Sequence, residues 1–285
     1  DEAVVLRAAV AASTVLRLDA CEDVPQLAAV TPRAASAWEQ QLASVKALVL
    51  LEKRKEALEG VRKIVAGARA AGDKITLAEA LRLEGRLNPD SDAGVKTLEE
   101  AVATAKDVNA DDLRAAALLE IAWVKTHQGK RSEAEAALRQ ALALFERIPQ
   151  SFELKMRRLS VQAADALVNG QFATGVDFTQ QQLTLVESVR QPSPEKVAAA
   201  LVNLASALAR AGRFDESQGA FLRGLKIFEQ QLGPSHPHVA STLMYLGELE
   251  LHLGLLDDSV QHSERALAIY EAACEPTDSR LAFPL

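Results

Sequence analysis

Histidine, cysteine and paired carboxylates are the residues of this chain that could do chemistry, and their spacing decides whether they can. The five histidines are His127, His236, His238, His252 and His262. None forms HExxH, so a helical zinc-hydrolase pair is absent. His236 and His238 flank Pro237. Together they supply two ligands, where a zinc site takes three or four from the protein. Connector packing and contact with solvent account for the pair more simply. The two cysteines, Cys21 and Cys274, are too few for a disulfide scaffold or a metal quartet. Cys21 lies in Leu18-Asp19-Ala20-Cys21-Glu22-Asp23-Val24. A reactive thiolate needs a cationic neighbourhood, and this one has acids on both sides. No GxxxxGK[ST] or GxGxxG occurs, so no loop is built to cradle phosphates. The acid pairs Asp111-Asp112 and Asp257-Asp258 sit where helices begin, as caps or partners of the helix dipole. These residues build no catalytic constellation, and the expectation is a non-catalytic protein without cofactor or metal.

The elements that carry these residues are helices. Of 285 residues, 52 are Ala and 41 Leu, about a third of the chain in two strong helix formers. Aromatics make up 4%, too few for an all-β protein. With 48% apolar residues there is enough surface to bury that disorder is excluded. The net charge of −7, from 39 acids against 32 bases, argues against nucleic acid as a partner. The longest uncharged apolar run near the start, Ala8 to Leu16, is nine residues, far short of a membrane span. The sequence opens at Asp1 inside a helical pattern, without an initiator Met or signal peptide, and reads as part of something longer.

The helices repeat. Gly170, Gly212 and Gly254 are 42 residues apart, each followed two residues on by Phe172, Phe214 or Leu256. Leu159, Leu201 and Leu243 precede them in register. One unit earlier, Gly129 lies among Leu118, Ile121 and Ala122 before it and Ala134, Leu138 and Ala141 after it. Each unit reads as two amphipathic helices. Leu201, Leu204, Ala205 and Leu208 share one helical face. Gly212 suits a C′ position with positive φ, Asp215 is placed to cap the next helix, and Phe221, Leu225 and Phe228 form its buried stripe. Small residues recur at two places: Ala134 and Ala141, Ser217 and Gly224, Ser259 and Ala266. Close helix approach requires them there. Two weaker units precede. One holds Leu81, Gly85, Leu98 and Ala101 about a turn at Asn88-Pro89-Asp90-Ser91. The other runs from Trp38 to about Ala71, with Glu52 where the turn glycine would be.

This pattern resembles the tetratricopeptide repeat. The connector Leu232 to Ala240, with Pro192 and Pro276 each 42 residues from Pro234, resembles the kinesin-light-chain type. The resemblance implies an all-α solenoid of about six helical hairpins. An N-terminal helix and linker would occupy 1–33 and two divergent hairpins 34–110. Four units would fill 111–275, at about 115–148, 156–189, 198–231 and 240–273, and a further repeat would start in 276–285. Several stacked repeats would then separate Cys21 from Cys274, beyond the roughly 7 Å Cα reach of a disulfide. That leaves Cys21 a free thiol or half of a pair with a cysteine upstream of Asp1. In this family the first helix of each unit lines a concave groove that takes a protein or peptide. Carried over, the groove residues are Arg82, Arg86, Glu120, Trp123, His127, Arg157, Ser160, Asn203, Ser206, Arg210, Tyr245, Glu248 and His252. Asn203 stands where kinesin-light-chain-type members hold a peptide backbone, although Val161 and Tyr245 replace it in the neighbouring units. The Lys-Asn pattern of the carboxylate clamp is missing.

The Ala-Cys-Glu-Asp-Val segment, the weak repeats, the stronger ones and the restart at Arg280-Leu281-Ala282-Phe283-Pro284-Leu285 together resemble the region C-terminal to the kinase domain in myxobacterial-type serine/threonine protein kinases. That resemblance implies a sensor or partner-binding region. It places the array on the extracytoplasmic side of a membrane-anchored parent, with an upstream cysteine to pair with Cys21. The alternative is a scaffold or oligomerisation arm of another bacterial regulator, such as a transcription regulator, which would be cytoplasmic and self-associating.

Overall fold

The computed structural model describes residues 38–50, 53–88 and 92–273. Among these the regular structure is twelve α-helices: α1 (Glu39–Leu50), α2 (Arg54–Ala71), α3 (Lys74–Arg86), α4 (Asp92–Asp107), α5 (Asp111–His127), α6 (Arg131–Phe145), α7 (Phe152–Val168), α8 (Phe172–Glu187), α9 (Pro194–Arg210), α10 (Phe214–Leu232), α11 (Pro237–Leu253) and α12 (Leu256–Ala273). No strand occurs among the described residues. The all-α fold expected from composition and period is the fold observed. The leading helix at 1–33, the turn at Glu52, residues 89–91 of the second turn, both cysteines and the further repeat at 276–285 lie outside the described residues.

The helices gather into two compact units, divided between Gln150 and Ser151. The first holds α1–α6 and the second α7–α12, each as three antiparallel hairpins. In the first unit Val61, Ile64, Leu81 and Leu83 are fully buried and pack with Leu42, Val45 and Ala117 in one apolar cluster. In the second, Phe221, Leu225 and Phe228 meet Val239, Leu243, Leu246, Ile269 and Tyr270. A neighbouring cluster joins Val176, Leu183 and Val186 of α8 to Leu201, Leu204 and Leu208 of α9.

The hairpin turns follow from backbone chemistry. Gly129, Gly170, Gly212 and Gly254 adopt φ between +69° and +77°. A Cβ at any of the four would meet open space, so the left-handed backbone alone calls for glycine. Behind Gly212, Arg213 N–H donates to the Leu208 carbonyl at 2.9 Å. This bond corrects one expectation. The N-cap of α10 is Arg213 without a side-chain cap, and Asp215 falls inside the first turn, beside Glu216. There its charge faces the positive end of the helix dipole rather than closing an N–H. The connectors are capped by side chains instead. Ser151 accepts from Leu154 N–H, Ser193 from Lys196 N–H ahead of Pro194, and His236 Nδ1 from His238 N–H ahead of Pro237.

The small positions hold the two helices of a hairpin close. Ser217 donates to the Ala205 carbonyl at 2.8 Å, and Ser259 to the Gly247 carbonyl at 2.7 Å. A residue larger than Ser would force those backbones apart. The hairpin of α7 and α8 departs from the rule. Where the following hairpins have Gly224 and Ala266, it has Gln182, only 1% exposed. The Gln182 amide donates across the hairpin to Ser160 Oγ at 2.5 Å and to the Met156 carbonyl at 3.3 Å, which offsets the cost of burying it.

Candidate functional site

The first helices of successive hairpins approach one another within each unit, α3 with α5 and α9 with α11. The expected groove residues lie on these four helices and on α7, some facing solvent and some buried between helices.

In the first unit, Arg82 of α3 and Glu120 of α5 meet at 3.2 Å. Both are shielded: Glu120 is buried, and the Arg82 side chain is 13% exposed. They join the two helices before they could meet a ligand. Arg86 is half-buried one turn further on. Trp123 is 39% exposed, and its ring lies 4.2 Å from that of His127. His127 Nδ1 is 2.8 Å from the Trp123 carbonyl oxygen, so the pair is a preset aromatic surface at the end of α5. On the same helix the Lys125 ammonium is buried and sits 2.5 Å from Glu133 of α6. That hydrogen bond, with the charges of Lys125 and Lys130 behind it, holds the Glu133 carboxyl below its ordinary range.

In the second unit, Arg157 and Ser160 on α7 are half-buried, and Ser160 is tied to Gln182. On α9, Asn203 is exposed, and its side chain makes no hydrogen bond among the described residues. Ser206 folds back onto the Val202 carbonyl at 3.0 Å. Arg210 is exposed but engaged: it donates to the Leu167 carbonyl at 3.1 Å and lies 6.0 Å from the centre of the Phe172 ring. It satisfies the C-terminal end of α7 and covers the exposed ring of the preceding hairpin. On α11, Tyr245 is 40% exposed and stacks on the buried Phe221 at 6.3 Å. Glu248 and His252 are exposed beside it. Asn203 thus presents an amide with both donor and acceptor available, and Tyr245, one period later, presents a ring held in place from behind.

The remaining histidines do structural work. His238 stacks on Phe228 at 5.2 Å, and His236 caps α11. His262 Nδ1 lies 2.7 Å from the buried Glu250 carboxylate. Sequence reasoning passed over this pair and Gln182. The repeat register holds the signal for both: each is a polar residue where other units place Leu or a small side chain. Among the described residues no group of three or more His, Cys, Asp or Glu is placed to hold a metal ion. No helix among them is long and apolar enough to cross a membrane.

Residues 114–148 and 196–272 match family models of the tetratricopeptide repeat. Solved structures extend the likeness in fold. BtubC (BKLC) of P. vanneervenii superposes at a TM-score of 0.56 and 22% identity, over 67% of this chain and 78% of that one. A Podosopora anserina chain of nearly identical TPR-like repeats, assigned to a kinesin light chain, gives 0.51 and 21%, over 73% and 97%. NprR, in complex with its cognate peptide NprX, gives 0.60 and 16%, over 100% and 81%. No curated protein sequence matches the chain. The tetratricopeptide hairpins and their kinesin-light-chain-like structural neighbours agree with the sequence pattern.

Proposed function

We propose that this tetratricopeptide chain is a non-catalytic module that binds a protein or an extended peptide along the first helices of its hairpins. The observation that carries the reading is the pair Asn203 and Tyr245 on neighbouring helices of the second unit. One supplies an amide able to hold a peptide N–H and C=O together. The other supplies a rigid ring of the type that dominates binding energy at interfaces. NprR, which shares the fold, is bound to a peptide, in keeping with the same use of the surface. Arg82, Glu120 and Arg210 take part by holding helices in place; Glu248 and His252 are further contact residues in the second unit, and Trp123 with His127 offers a contact surface of its own in the first. The finer reading, a sensor or partner-binding region of a bacterial serine/threonine kinase, rests on the resemblance carried by the Cys21 segment and the order of the repeats.

The test is an array of short extended peptides probed with the purified chain. Each hydrogen bond of the Asn203 amide is worth about 1 kcal/mol, so Asn203→Ala is expected to weaken captured peptides roughly tenfold or more. Tyr245→Ala is expected to do at least as much. Peptides whose binding is indifferent to both substitutions would place the site elsewhere.

A further inference from the structure

Taking Asn203 and Tyr245 as the peptide site proposed above, we infer that its ligand is a basic extended peptide. A Lys or Arg side chain of that peptide sits on α11, against the Tyr245 ring and the Glu248 carboxylate.

Beyond their first turns, the first helices of the hairpins carry Glu79, Glu84, Glu120, Asp165, Glu248 and Glu250. All but Glu248 take a hydrogen bond or ion pair from another side chain: Glu79 from Lys46, Glu84 from Arg62, Glu120 from Arg82, Asp165 from Asn169 and Glu250 from His262. Glu248 is exposed and, among the described residues, has neither. α11 carries no Lys or Arg that could supply one. A mid-helix carboxylate in this position is the charge that an incoming cation meets.

Tyr245 stands three residues before Glu248, so the two side chains are neighbours on one face of α11. Phe221 backs the ring at 6.3 Å, and Tyr245 is 40% exposed. A cation paired with the carboxylate is therefore within reach of the ring, and the charge-assisted bond and the cation–π attraction act together. The repeat register shows that this face is not a seam between hairpins. Tyr245, Glu248 and His252 take the places that Asn203, Ser206 and Arg210 hold on α9, 42 residues earlier. α11 packs beside α9, yet Asn203 and Arg210 remain exposed and Ser206 is half-buried. A first helix packed alongside thus leaves these places open to solvent.

Helices packed side by side lie about 8–10 Å apart, and an extended chain advances about 3.3 Å per residue. A peptide whose backbone is held by Asn203 reaches Tyr245 and Glu248 roughly three residues further along. An acidic side chain at that point would face a like charge.

The experiment selects a random octapeptide library, displayed on phage, against the purified full chain. The selected peptides are expected to share a Lys or Arg at one fixed place. Synthetic versions are then compared by fluorescence anisotropy. Gln at that place is expected to weaken binding about fivefold, as suits an exposed pair, and Glu roughly tenfold or more. Glu248→Gln, at a solvent-facing position, is expected to bring the Lys and Gln versions within about twofold of each other. Glu248→Lys is expected to reverse the order of the Lys and Glu versions. Selected peptides without a shared basic residue, or a preference for Lys over Gln that survives Glu248→Gln, would overturn the assignment of Glu248. Where Asn203→Ala or Tyr245→Ala still abolishes their binding, the peptide site itself stands. Binding indifferent to Asn203→Ala, Tyr245→Ala and Glu248→Gln alike would overturn both, as would a library from which nothing is enriched.

Discussion

The Glu250–His262 pair offers a test of the repeat register as a guide to energetics. Glu250 is 3% exposed and lies 2.7 Å from His262 across the α11–α12 hairpin. One period earlier the same two places are Leu208 and Ala220, both buried and apolar. The scaffold therefore accepts either pairing at this contact, and the two chemistries can be exchanged. In His262→Ala the carboxylate keeps its burial and loses its partner. Leaving a buried acceptor without its donor costs about 1–3 kcal/mol. Glu250 is almost fully enclosed, so the upper end applies, about 3 kcal/mol, or roughly a hundredfold in the opening equilibrium of the hairpin. Adding Glu250→Leu transplants the apolar pair of the preceding hairpin. Replacing both partners of a buried pair by apolar groups is commonly neutral or stabilising, so the double variant is expected within about 1 kcal/mol of the parent. Amide hydrogen exchange of α11 and α12 reads the opening free energy locally, where a global melt would average over both units. A single variant that costs less than about 1 kcal/mol would refute the reasoning, as would a double variant no more stable than the single.

Much of this was legible because the period is set by local chemistry. A turn glycine must be left-handed and a hairpin face must be apolar at helical spacing, and both constraints are written within one unit. Gly170, Gly212 and Gly254 announced the turns, and Leu201, Leu204 and Leu208 the buried face, as the structure has them. Contacts between helices were not legible. Arg82 finds Glu120 across 38 residues, so the sequence shows two surface charges where the fold makes a shielded bridge. Arg210 ends on the carbonyl of Leu167, 43 residues back, a partner that no local spacing predicts. Asp215 failed as a cap for a different reason. The bond from Arg213 N–H to the Leu208 carbonyl closes the preceding helix and starts the next one a residue or two early.

Three further outcomes follow from packing and charge. A Cβ on Gly85 would stand 2.6 Å from Leu98 Cγ and 2.9 Å from the Gly94 carbonyl oxygen. Gly85→Ala is thus expected to cost about 1–3 kcal/mol through overpacking, more than the helix propensity of alanine returns, and a thermal melt would show it. Gly219, in α10, has nothing within 4 Å of the added methyl, and there the same substitution is expected to stabilise by about 0.5–1 kcal/mol. A lowered melting temperature for Gly219→Ala would contradict the open space at that site. The last outcome is a pH dependence. The hydrogen bond from the buried Lys125 holds the folded Glu133 carboxyl below its ordinary value of 4.5, and the nearby charges of Lys125 and Lys130 act in the same direction. A carboxyl whose folded pKa is depressed contributes stability that is fully present above its unfolded pKa. That contribution is lost as the pH falls through the folded value. The stability difference between the parent and Glu133→Gln should therefore be constant near neutrality and shrink on acidification below the ordinary carboxylate range. Because Glu133 is exposed, salt should shrink it as well. Denaturant titrations across that pH window read the difference directly. A gap that widens with acid would have the wrong sign, and the bond from Lys125 could not be its source.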